Sequence, residues 1–228
     1  MMKVDPAAEP SWFHGEIRLQ GNDILSELTG APFRPRKGRK RAVVASAIKD
    51  IPAKVLEKPQ NAIWRRAIPE LRLLYKDTCA YLGVRIYGDA TVDHFKPISK
   101  YQMQAYDWSN FRLSSSLINT FKQDHEDVLD PFLVQPGWFE LTLLTGVIEP
   151  GKQVSDPAII DQIRDTIKRL RLNENKTWVD RRREAFDRYI AFHEPDYPSN
   201  YPKWNLATLA IEFPFVASEI VRQGKVYQ

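Results

Sequence analysis

The sequence predicts an α+β fold, mostly helical, with two short stretches of strand. Three observations lead there. Apolar residues recur at helical spacing in residues 60–83 and again through the last third of the chain. Two stretches, 84–95 and 138–150, read as strand and each is broken by a glycine turn. The 228 residues, 43% of them hydrophobic, suffice for one sizeable folded domain and exclude a disordered chain.

Residues 1–45 carry Pro6, Pro10, Pro32 and Pro35 and read as an irregular N-terminal segment; 46–228 read as a single domain. In "NAIWRRAIPELRLLYKDTCAYLG", Ile63, Ala67, Leu71, Leu74 and Cys79 keep a helical period, with Gly83 as the stop and Pro69 opening the second of two pieces. "VRIYGDATVDHF", residues 84–95, predicts two short strands around Gly88-Asp89. "SSSLINTFKQD", 114–124, predicts a short helix, and "WFELTLLTGVIEP", 138–150, a hairpin turning at Thr145-Gly146. The C-terminal helices span about 156–224. The first opens with Asp156 as N-cap and Pro157 behind it, and buries Ile159, Ile160, Ile163, Ile167 and Leu170. The next restarts near Asn173, capped by that residue, with Val179, Ala185, Phe186, Tyr189 and Ile190 inward. The last, 205–224, is kinked or divided at Pro214.

Composition narrows the function classes. No apolar run approaches 18 residues, so no membrane span is expected, and "MMKVDPAAEPSWFHG" lacks the apolar core of a secretory signal. A single cysteine, Cys79, rules out an intrachain disulfide and fits a cytoplasmic protein. The net charge of +4 is mildly basic and fits a polyanionic partner. Much of it sits in "RPRKGRKR", where Arg34, Arg36, Lys37, Arg39, Lys40 and Arg41 lie among Pro and Gly with no acidic residue to pair with. Such a run reads as a solvated mobile arm, with phosphate contact as its functional use. "RRR" at 181–183 offers Arg181 and Arg182 either as a solvated helix face or as nucleic-acid contacts. His14, His125 and His193 belong to no pattern and read as structural or solvent-facing, and Trp108 reads as loop core.

One constellation carries chemistry. "VDHFKP" places Asp93 and His94 at the end of a predicted strand. Asn110 follows in "DWSNF", then Asn119 and Lys122 in "INTFK" on one face of a short helix. Adjacent strand residues point to opposite faces, so Asp93 and His94 can serve one site only where the strand ends, and Pro97 marks such an end.

These residues resemble the HNH nuclease superfamily, the ββα-metal fold. The pattern there runs Cys-x-x-Cys, "DH-φ-x-P", "D-x-x-N-L", then Cys-x-x-Cys-[His/Asn]-x-x-Lys, and the likeness covers about residues 79–122, within a core of about 79–125. It implies a small ββα-metal core embedded in the helical domain, and a metal-dependent endonuclease that hydrolyses DNA to a 5′-phosphate and a 3′-hydroxyl. His94 would be the general base, Asn110 would brace the loop that orients it, and Lys122 would lie near phosphate. Asp93 and Asn119 would hold one Mg²⁺ or Mn²⁺, for which hard oxygen donors are suited. The knuckle positions read Cys79, Leu82, Ser115 and Ile118, and one thiol among two apolar side chains cannot build a tetrahedral thiolate site, so no structural zinc is expected. A ribonuclease or tRNase effector is the alternative within enzymes. An inactive scaffold that binds nucleic acid or a protein is the alternative outside them. The hairpin at 138–150 followed by "LRLN" and an Arg-bearing helix is also similar to HNH proteins of bacterial anti-phage systems, of the Septu and retron-associated types. That likeness implies antiviral defence and an ATPase or sensor partner.

Overall fold

The computed structural model describes residues 1–194, 196–198 and 201–227. The chain is a mixed α/β protein with two separate two-stranded antiparallel sheets among helices. Helices α1 (Leu19–Thr29), α2 (Ala53–Leu56) and α3 (Ile68–Leu74) precede the first sheet, formed by β1 (Ala90–His94) and β2 (Phe111–Ser115). Helix α4 (Ser116–Lys122) follows β2 without a gap. The hairpin β3 (Phe139–Thr142) and β4 (Val147–Pro150) leads into α5 (Pro157–Arg169), α6 (Lys176–His193), α7 (Leu206–Glu212) and α8 (Pro214–Arg222). One apolar core runs from Phe13 through Trp64, Tyr81 and Phe111 to Ile220.

Local rules place several elements as the sequence predicts. Asp156 caps α5, its Oδ1 accepting from Ala158 N at 2.9 Å. The 138–150 hairpin forms and Gly146 takes φ 74° at its turn; a Cβ there would meet Val179 O at 2.3 Å, so glycine is required twice over. Pro214 opens α8 and divides the last helix from α7.

Four expectations change. Residues 1–45 are not irregular throughout: a π-helical turn, His14–Arg18, runs into α1 and buries Phe13, Ile17, Leu25 and Leu28. The helix expected over 60–83 stops at Leu74, because Lys76 and Asp77 adopt φ 50° and 58°. Arg72 Nε holds Asp77 Oδ1 at 2.6 Å, and residues 79–84 close a tight turn in which Gly83 N bonds Cys79 O and Cys79 N bonds Val84 O. Residues 84–89 therefore form no hairpin with β1; its partner is β2, in register Asp93 with Arg112 and His94 with Phe111. Finally, Asn173 does not cap α6. Its side chain bonds both backbone groups of Ile148, N at 2.9 Å and O at 2.7 Å, which ties the α5–α6 junction to β4.

Candidate active site

The end of β1, the second half of α4 and a 3₁₀ turn at Ile63–Ala67 meet around a cleft of ≈ 560 Å³. Asp93 and His94 line it from β1, Asn119 and Gln123 from α4 and its end, Trp64 and Arg65 from the 3₁₀ turn. Ser115 joins the pieces: it ends β2, and its Oγ caps α4 by accepting from Ile118 N at 3.4 Å.

His94 is held tightly. Its ring meets Trp64 edge-on at 4.9 Å and Phe111 at 5.2 Å between centroids, and Nε2 lies 2.9 Å from the Ala105 carbonyl. A carbonyl only accepts, so Nε2 carries the hydrogen and Nδ1 keeps its lone pair. Nδ1 has no partner among the described residues, and the only fully buried side-chain N or O there without a partner is Trp178 Nε1, so Nδ1 is in touch with solvent. Burial lowers the pKa of His94 to about 4, against the opposing pull of the Ala105 bond and of Asp93. At neutral pH the imidazole is uncharged, the form a general base needs.

Asn110 braces the loop that leads to Ala105. Its Oδ1 accepts from Lys96 N at 2.7 Å, while Nδ2 donates to Lys96 O at 3.0 Å and Gln104 O at 3.2 Å. Both ends of the 96–104 loop are thereby pinned to one side chain.

Asp93 is 2% exposed. Its Oδ2 accepts from the Tyr81 hydroxyl and its Oδ1 faces Lys122 Nζ at 3.1 Å. Burial, and then Asp93, push the Tyr81 phenol well above its ordinary pKa, so Tyr81 stays a donor. Each carboxylate oxygen retains one further lone pair for a cation or a water. Asn119 is half-buried, lines the cleft, and its side-chain amide has no hydrogen-bond partner among the described residues. Asp93 and Asn119 together offer oxygen donors only. That fits Mg²⁺ or Mn²⁺ completed by waters and substrate oxygens, and does not fit a soft thiolate-seeking ion.

Lys122 is not placed to contact phosphate. It is fully buried, and besides Asp93 its Nζ donates to the carbonyls of His94 at 2.9 Å and Phe95 at 3.1 Å. Three donors meet three acceptors, and none remains for a ligand.

The basic residues are corrected in the same way. The stretch 34–41 has acidic partners after all, supplied by α1. Arg34 pairs with Asp23 at 2.7 Å, and Arg36 and Arg41 both grip Glu27, at 2.9 Å and 2.7 Å. Lys37, Arg39 and Lys40 remain exposed and unpaired by carboxylates among the described residues, Lys40 lying over the Phe33 ring at 5.9 Å. Arg182 is 1% exposed and donates to Gly146 O and Leu172 O, so it is a core residue and touches no nucleic acid. Arg181 is half-buried against its own Trp178 and Phe213 rings. The knuckle positions Cys79, Leu82 and Ile118 are buried in the apolar core, as their chemistry favours.

Sequence reasoning missed Tyr81, the Ala105 carbonyl, Arg65 and Gln123. Tyr81 lies within the knuckle turn and could have been asked what its hydroxyl bonds; a backbone carbonyl leaves no mark in a sequence. No family model matches the chain, and no curated protein matches it closely enough to show a relationship.

Proposed function

We propose that the chain is a metal-dependent endonuclease of the HNH, ββα-metal kind, acting on phosphodiester bonds of DNA. The observation that carries this reading is a neutral imidazole, fixed through Nε2 and free at Nδ1, in one cleft with Asp93 and Asn119. In this reading β1, β2 and α4 are the ββα unit.

His94 Nδ1 takes the proton of the attacking water. The Ala105 carbonyl then stabilises the imidazolium through Nε2–H, and Asn110 keeps that carbonyl in place. Asp93 and Asn119 would hold the divalent ion, which when bound supplies Lewis-acid stabilisation of the charge on the phosphodiester. Tyr81 and Lys122 fix the Asp93 carboxylate and leave it one lone pair per oxygen. The P–O3′ bond breaks, the 3′-oxygen takes a proton from solvent water to leave as a hydroxyl, and the 5′-phosphate remains.

One observation favours a second reading. Both oxygens of Asp93 already have partners, which suits a scaffold that binds nucleic acid or a protein without cutting it. The likeness to anti-phage HNH proteins extends the first reading to a defence effector that works with an ATPase or sensor. One assay separates these. Plasmid DNA and a structured RNA are incubated with the pure chain in Mg²⁺, Mn²⁺ or EDTA, alone and with the product of its neighbouring gene. Cleavage that needs the ion, and that His94→Ala lowers by about 10²–10⁴, supports the nuclease. Binding without cleavage under all conditions supports the scaffold, and full activity of His94→Ala removes the general-base assignment.

A further inference from the structure

We infer that Arg65 is a substrate-binding residue that grips the non-bridging oxygens of the phosphate to be cut; this rests on the phosphodiesterase reading above. The 3₁₀ turn that carries Arg65 is fixed at the site by its neighbour. Trp64 is 5% exposed and packs against His94 at 4.9 Å and Tyr106 at 5.6 Å. The Tyr106 hydroxyl in turn donates to Asn61 O at 2.9 Å, two residues before the turn begins. Backbone position beside the base is therefore rigid, while the next side chain points to no protein group.

Arginines in this protein are otherwise occupied. Among the described residues, only Arg39 and Arg65 have a side chain with no hydrogen bond, ion pair or ring contact, and of the two only Arg65 lines the cleft. Glu57 and Asp124 line the same cleft, yet neither comes within ion-pair distance of it. An exposed guanidinium held next to a general base, and kept from nearby carboxylates, is a planar fork without its anion. Phosphate fits that fork bidentately, which a lysine would not reproduce. The residue lies outside the 79–125 stretch, so nothing in that motif points to it.

The test uses the full chain with Arg65→Ala and Arg65→Lys, each alone for cleavage and each combined with His94→Ala for binding. Arg65→Ala is expected to lower kcat/KM on DNA about 10²-fold with an unchanged melting temperature, since the side chain is exposed. In the His94→Ala background it should flatten the salt dependence of duplex binding by about 0.9 in log–log slope, one phosphate contact. Arg65→Lys should keep the slope and recover only part of the rate. If Arg65→Ala lowers the melting temperature, Arg65→Gln decides by the same two readouts. Wild-type cleavage with unchanged rate and slope in the variant overturns the Arg65 assignment and leaves the nuclease standing. A wild type that neither cuts nor binds DNA or RNA removes both.

Discussion

Lys122 Nζ lies 3.1 Å from Asp93 Oδ1, and the two side chains are 0% and 2% exposed. The ammonium also takes the carbonyls of His94 and Phe95, so it bolts α4 onto the end of β1. Asn119, one turn earlier on α4, is positioned over the cleft by this bolt.

Removing that ammonium strands a buried carboxylate and two carbonyls. Lys122→Met is therefore expected to destabilise by roughly 3–5 kcal/mol, the range for breaking a buried pair from one side. Urea unfolding measures it as a fall in midpoint. A variant as stable as the wild type would mean that Lys122 is solvated and available to phosphate after all.

His94 makes the fold acid-sensitive. Its folded pKa, about 4, lies below the ordinary histidine value, mainly through burial. Below about pH 6.5 the unfolded chain takes up a proton that the folded one refuses. Its stabilising share is thus whole above pH 6.5 and shrinks as the pH falls towards 4, by about 3 kcal/mol at most. Urea midpoints at pH 7 and pH 4.5 in EDTA, compared between wild type and His94→Gln, isolate that share from the other acid groups. Equal losses in both proteins would contradict a buried neutral imidazole.

Glu27 fastens the basic stretch to α1. Burial raises its pKa, but the Arg41 backbone N–H and the Arg41 and Arg36 side chains outweigh that and hold it below the ordinary value. Glu27→Gln should free residues 34–41, detectable as faster tryptic cleavage there and a lower melting temperature. DNA binding should then become steeper in salt, since Arg36 and Arg41 join Lys37, Arg39 and Lys40 as free cations. Unchanged proteolysis would show that other contacts, such as Arg34 with Asp23, and not Glu27, fix the stretch.

Gln123 ends α4 at φ 47° and ψ −128°, a region glycine occupies without cost. Gln123→Gly should relieve strain of about 1–3 kcal/mol, less about 0.5–1 kcal/mol for glycine's extra freedom when unfolded. A net gain near 1 kcal/mol should raise the melting temperature by about 2–4 °C. A loss of stability would show that the Gln123 side chain contributes more to the folded state than its backbone costs.

Features governed by neighbouring residues were legible in the sequence. Asp156 with Pro157, the Thr145-Gly146 turn and the break at Pro214 follow from cap, φ and missing-N–H rules that act within a few residues. Asp93, His94 and Asn119, singled out by their order in the sequence, line one cleft, and the bonds Asn110 makes are local to its own loop. Strand β2 was missed although Phe111-Arg112-Leu113-Ser114 alternates: the pattern is only four residues long, and α4 follows at Ser116 with no turn residue to mark the strand's end.

Tertiary structure alone decided what each charged group does. Arg36 and Glu27 are nine residues apart, Lys122 and Asp93 twenty-nine, and Arg182 reaches Gly146 across thirty-six. Whether a cation is solvated, paired or sunk into carbonyls depends on which segments pack beside it, and that is settled by burial of the whole core. The acceptor that orients His94 is a backbone carbonyl, present at every residue and distinguished at Ala105 only by where the chain carries it.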